Sequence, residues 1–124
     1  MTPFSEANHA ELRALLAIYP EVREGRMFGH PAWFVGRRMF ACVYGDGIGL
    51  KLPEAEATAL LKRAGVVRFQ PYGKAPMREW VQVNRKRPAD YRRDRATLEA
   101  AIRYAAATPK ALKKRTAAAK PVTR

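Results

Sequence analysis

The residues of this chain able to carry chemistry are few and scattered. His9 and His30 are its two histidines, and Cys42 is its single cysteine. A metal centre needs ligands converging at short spacings; neither histidine has a partner at metal-ligand spacing, and no Cys/His cluster exists. His30 lies close to Trp33, which suits a pocket wall as well as an ordinary turn histidine. Cys42 sits inside the most apolar stretch with nothing nearby to lower its pKa, so it reads as a small buried hydrophobe. Glu54 and Glu56 form an acid/base pair only on paper. Residues two apart on a helix diverge, and both suit the positive end of a helix dipole. Gly73-Lys74 lacks the glycine spacing of a phosphate loop, and no helix follows it. No Ser/His/Asp arrangement, dinucleotide loop or carboxylate cluster occurs. The expectation is a protein that binds without catalysing, with no metal and no cofactor.

Two groups of residues are then candidates for binding. Four ring-bearing residues, His30, Trp33, Tyr72 and Trp80, would line a pocket if folding gathers them, although such residues more often fill cores. The second group is cationic. Net charge is +13, and it is unevenly placed. Residues 1–84 hold 11 Lys and Arg against 8 Asp and Glu, whereas residues 85–124 hold 13 against 3. Arg85, Lys86, Arg87, Arg92, Arg93, Lys110, Lys113, Lys114, Arg115 and Lys120 carry most of this excess. Such asymmetry suits a polyanion, most simply nucleic acid, held by sequence-independent and salt-sensitive attraction. A solvated, solubilising tail accounts for the same residues.

The elements that position these groups are organised around Met27 to Leu52, which reads as a three-stranded meander. Asp46-Gly47 between apolar runs predicts a type I′ turn, and Gly36-Arg37 a second hairpin turn. Ile48, Leu50 and Leu52 alternate with Gly49 and Lys51, a strand with one buried face. Arg38 to Tyr44 is apolar on both parities. Met39, Ala41 and Val43 should share one side, and Phe40, Cys42 and Tyr44 the other, with helices or a partner chain over both. Ala32 to Val35 forms the preceding strand, after a break at Gly29-His30-Pro31. Val22 to Phe28 begins with a short strand or a turn.

Helices flank the meander. Ser5 caps a first helix reaching about Tyr19, with Leu12, Leu15, Leu16 and Tyr19 as its core stripe. Pro53 opens a second helix at its first position, Lys62 and Arg63 complement its negative end, and Gly65 stops it. Val66 to Phe69 and Met77 to Val83 read as strands. On the latter, Trp80 stands among polar neighbours, either packed beneath a helix or part of an exposed patch; the general burial of tryptophan favours packing. A third helix runs from Ala89 or Tyr91 to Ala107, with Asp90 as a cap and Tyr91, Leu98, Ile102 and Ala105 on one face.

The motifs Met27-Phe28-Gly29, Met39-Phe40-Ala41 and Asp46 to Leu52 (DGIGLKL), with Phe69 to Lys74 (F-x-P-Y-G-K) and the strand Met77 to Val83, are similar to the TfoX/Sxy N-terminal domain family. The resemblance covers roughly residues 10–105. It implies a small two-layer α/β fold, a link to the regulation of natural competence in some bacteria, and no established catalytic residues.

At 124 residues the chain supports one core. The expected architecture is an α+β, two-layer domain over residues 1–108, an antiparallel sheet with a central three-stranded meander packed by helices. Residues 109–124 form a Lys/Ala/Pro-rich tail too polar to build a core. No apolar run suits a membrane span, the first residues do not read as a secretory signal, and the single cysteine is no disulfide framework. These features make the cytoplasm the default compartment. Partners read from the sequence are nucleic acid through the basic third and, as the alternative, a protein partner or second copy bound through the sheet.

Overall fold

The computed structural model of the protein describes residues 3–71 and 77–107. Tyr72 and the tail residues Lys110, Lys113, Lys114, Arg115 and Lys120 lie outside this range. Helix α1 spans Glu6–Leu16 and starts where Ser5 accepts a bond from the Asn8 N–H at 3.1 Å. It ends short of Tyr19. The Tyr19 N–H turns back to Leu16 and the Val22 N–H to Tyr19, winding the chain past Pro20. Strands β1 (Val22–Met27), β2 (His30–Val35), β3 (Arg38–Tyr44) and β4 (Gly47–Lys51) follow as a continuous meander. Helix α2 is Glu54–Leu60, β5 is Val66–Arg68 and β6 is Trp80–Val83. A 3-10 helix over Pro88–Asp94 leads into α3, Arg95–Ala107. The six strands pair antiparallel throughout, in one sheet ordered β1-β2-β3-β4-β6-β5. The α+β expectation holds, and β1 lengthens the meander to four strands. No helix among the described residues is long and apolar enough to cross a membrane.

The turns differ from expectation in instructive ways. Positive φ falls on Gly45, not on Asp46-Gly47, and Tyr44 pairs with Gly47. The two-residue turn is therefore Gly45-Asp46, and Gly47 belongs to β4. A Cβ at Gly47 would collide with Asn84 Oδ1 and lie 2.9 Å from the Val83 carbonyl, so glycine is needed there for strand contact. At the other end of β2, the chain turns at Phe28-Gly29, both with positive φ, and Met27 pairs with His30. Of the expected break at Gly29-His30-Pro31 only Gly29 belongs to the turn, and His30 and Pro31 already lie in β2. Pro31 stands opposite Arg26, one step from the turn, where antiparallel pairs exchange no N–H···O bonds. Gly36-Arg37 turns as expected, with positive φ at the glycine.

A bulge decides which way β3 faces. Trp33 pairs with Ala41 and Phe34 with Met39, leaving Phe40 without an opposite number. An extra residue on one strand shifts the side-chain alternation beyond it. Phe40, Ala41 and Val43 consequently enter the helix-side core, with Leu12, Leu16, Leu50, Tyr91 and Leu98. Met39, Cys42 and Tyr44 face the other side, with Phe69 and Trp80. The expected split of Met39, Ala41 and Val43 from Phe40, Cys42 and Tyr44 is corrected accordingly. Of the two expected covers for β3, helices or a partner chain, helices serve one face only: α1, α2 and α3 supply residues to the first cluster and none to the second. Trp80 is buried, as its type favours, but against Phe69 and not beneath α1, α2 or α3.

Helix boundaries move for local reasons. Pro53 is the cap of α2, not its first residue, and the helix stops at Leu60. The N–H groups of Leu61, Lys62 and Arg63 then bond three residues back, tightening into turns before Gly65 at positive φ. Strand β6 starts at Trp80 because its N–H turns back to Met77. The 3-10 segment replaces the first two turns expected of the third helix. Asp90 sits inside that segment and accepts from the Arg87 N–H, so it is not the cap itself. Tyr91 is fully buried and donates to the Val83 carbonyl at 2.9 Å, pinning the segment to β6. Its phenol is pushed up to about 12 by burial.

Candidate functional site

Three basic residues of the C-terminal third, Arg85, Lys86 and Arg93, meet the rest of the fold at a cleft beside Gly65. The Asn84 N–H donates to the Gly65 carbonyl at 2.8 Å, which brings the end of β6 to the turn after α2. Arg63, Arg85, Lys86 and Arg93 line the resulting space of about 710 Å³, together with Asp90 and Asp94. Arg85 is fully engaged within the domain. Its Nε and Nη2 donate to Asp94 at 2.9 and 2.7 Å, and its Nη1 to the Ala64 carbonyl at 2.9 Å. The bond to Asp94 raises the Arg85 pKa further above its ordinary value. This bidentate pair ties β6, the turn after α2 and the start of α3 together.

The other cations divide in two. Arg87 pairs with Asp90 at 3.3 Å and Arg92 with Glu11 at 3.0 Å, so each carries a carboxylate neighbour. The pairing with Glu11 raises Arg92, an exposed group, above its ordinary value. Arg63, Lys86 and Arg93 are exposed and have no side-chain bond or ion-pair partner among the described residues. Arg63 is not legible as a binding candidate from sequence. In the sequence it reads as a dipole partner at the end of the second helix, and nothing in a linear spacing relates residue 63 to residue 86. The β5–β6 pairing creates that relation, with Val66 opposite Val83.

The aromatic group comes apart. His30 and Trp80 do line one pocket, of about 260 Å³, on the face opposite α1, α2 and α3. Trp33 does not join them. Its side chain belongs to the helix-side core, with the His9 ring 5.8 Å away, because its neighbours Ala32 and Phe34 take the opposite face. Residues the sequence did not single out for this pocket, Met27, Met39, Cys42, Phe69 and Met77, complete much of its wall. Burial pushes the Cys42 thiol up to about 12, leaving it protonated and a poor nucleophile. His9 lies on α1, bonded to Glu24 on β1 at 2.8 Å. Glu24 also takes two bonds from Arg13, which with His9 lower its pKa to about 2 against the opposing effect of burial. This is a tie between helix and edge strand. Among the described residues, no group of three or more His, Cys, Asp or Glu is placed to hold a metal ion.

Comparison with known proteins agrees with this architecture. No curated protein and no solved structure matches the chain. The model of the TfoX N-terminal domain matches residues 14–123, further toward the C-terminus than the resemblance at residues 10–105, so Lys110, Lys113, Lys114, Arg115 and Lys120 fall within it. With most of its length matched, the chain belongs to the TfoX N-terminal domain family.

Proposed function

We propose that this domain is a non-enzymatic regulatory module that associates with nucleic acid through phosphates held at the cleft. Arg63, Lys86 and Arg93 make the contacts there, and Lys110, Lys113, Lys114, Arg115 and Lys120 extend them. The observation that carries the reading is the convergence of three exposed cations without carboxylate partners among the described residues, on a chain of net charge +13. Arg85 holds the cleft walls in place, while Arg87 and Arg92 bias the surrounding potential. Contacts of this kind give affinity with little base specificity. Membership of a family linked to competence regulation supports a regulatory setting.

Fluorescence anisotropy of a short labelled DNA duplex tests it. The full chain should bind, with affinity falling steeply between about 50 and about 200 mM salt. Replacing Arg63, Lys86 and Arg93 together by alanine should flatten the slope of log K against log salt by about 2–3. Wild-type slope and affinity in that folded variant would refute the cleft. Unchanged binding after exchanging the five tail cations for glutamine would refute the extension.

A further inference from the structure

The face of the sheet opposite α1, α2 and α3 holds a second feature, unrelated to phosphate. We propose that its pocket binds a small, uncharged, planar aromatic compound of about two fused rings, a size set by a space of about 260 Å³. A cavity of roughly 150 Å³ already takes benzene, so this one has room for a larger ring system.

The lining specifies the chemistry. Met27, Met39 and Met77 are all the methionines after Met1, and Cys42 is the only cysteine, so nearly all the sulfur of the chain lies at one place. Thioethers pack favourably against aromatic rings and adapt to their outline. Phe69 and Trp80 form ring walls, with centroids 5.6 Å apart, and His30 and Tyr44 continue the series at 5.0 Å from one another. Among the described residues the lining carries no Lys, Arg, Asp or Glu, and its apolar walls suit an uncharged ligand. The space is preformed by the backbone. Gly49 lets Phe69 lie across β4, where a Cβ would come within 3.1 Å of its ring and 2.9 Å of Cys42 Sγ. At the mouth Phe28 is 73% exposed, held by its hairpin beside the opening.

The protein labelled with ¹³C at the methionine ε-methyls, titrated with indole, tests the proposal. The signals of Met27, Met39 and Met77 should shift along one saturating curve while Met1 stays still. The dissociation constant should be on the order of 0.1–1 mM, as ligand efficiency allows for so few heavy atoms. Met27→Lys and Met77→Lys, at half-buried and exposed rim positions, should keep the fold by circular dichroism and weaken indole by at least about tenfold through desolvation. Indole-3-carboxylate should bind more weakly than indole. Methyl signals that do not move, that move together with Met1, or that respond equally in both lysine variants would overturn the proposal. So would shifts that follow protein concentration without indole, since a second copy would then fill the pocket.

Discussion

Replacing Asp94 by asparagine should move stability and nucleic-acid affinity in opposite directions. Asp94 is nearly buried and takes both of its bonds from Arg85, whose side chain is 24% exposed. Removing one partner of a fully buried pair costs about 3–5 kcal/mol, because the other charge is left uncompensated. Water still reaches Arg85, and the carbonyl of the introduced asparagine would keep one bond, so a loss of about 2 kcal/mol is expected. For a domain of this size that lowers Tm by about 10 °C. At the cleft, four cations would then face one carboxylate in place of two. If Arg85, once released, takes up one phosphate, the slope of log K against log salt steepens by about 0.9. Thermal denaturation by circular dichroism and anisotropy titrations well below the variant's Tm read the two effects separately. A lowered Tm with unchanged or weaker binding would refute the cleft as the phosphate site. An unchanged Tm would refute the structural tie.

Three further outcomes follow from the fold. Phe40→Ala should cost about 3–5 kcal/mol in urea denaturation, since the bulged residue is fully buried in the helix-side core; a loss below about 1 kcal/mol would contradict that placement. Gly47→Ala should destabilise by about 1–3 kcal/mol, because its Cβ meets Asn84 and the Val83 carbonyl, and an unchanged midpoint would contradict the β4–β6 contact. Glu24, with its folded pKa lowered to about 2, favours the fold fully above the ordinary carboxylate range and loses that contribution as pH falls from about 4.5 toward 2. Its side chain is 30% exposed, so after solvent screening the term is about 1–2 kcal/mol. Glu24→Gln should therefore be less stable than wild type near neutral pH and converge with it near pH 2, where identical differences at both pH values would refute the pairing.

Local physical signals carried much of the architecture. Ser5, Pro53, the apolar stripes at Leu12, Leu15 and Leu16 and at Leu98 and Ile102, and the alternation of Ile48, Leu50 and Leu52 identify helices and strands. They do so because capping, proline geometry and burial periodicity act between residues a few positions apart. The charge asymmetry is equally legible, being a matter of composition. Facing and convergence belong to the tertiary structure. One unpaired residue, Phe40, shares a side of the sheet with Ala41 and leaves Met39 on the other, which simple alternation does not allow. Trp33 and Trp80 end on different faces through pleat and register. Arg63 meets Lys86 only through the antiparallel pairing of β5 with β6, and Arg85 is drawn inward by Asp94. Long-range strand pairing sets these relations, and it depends on which surfaces the whole chain can bury together.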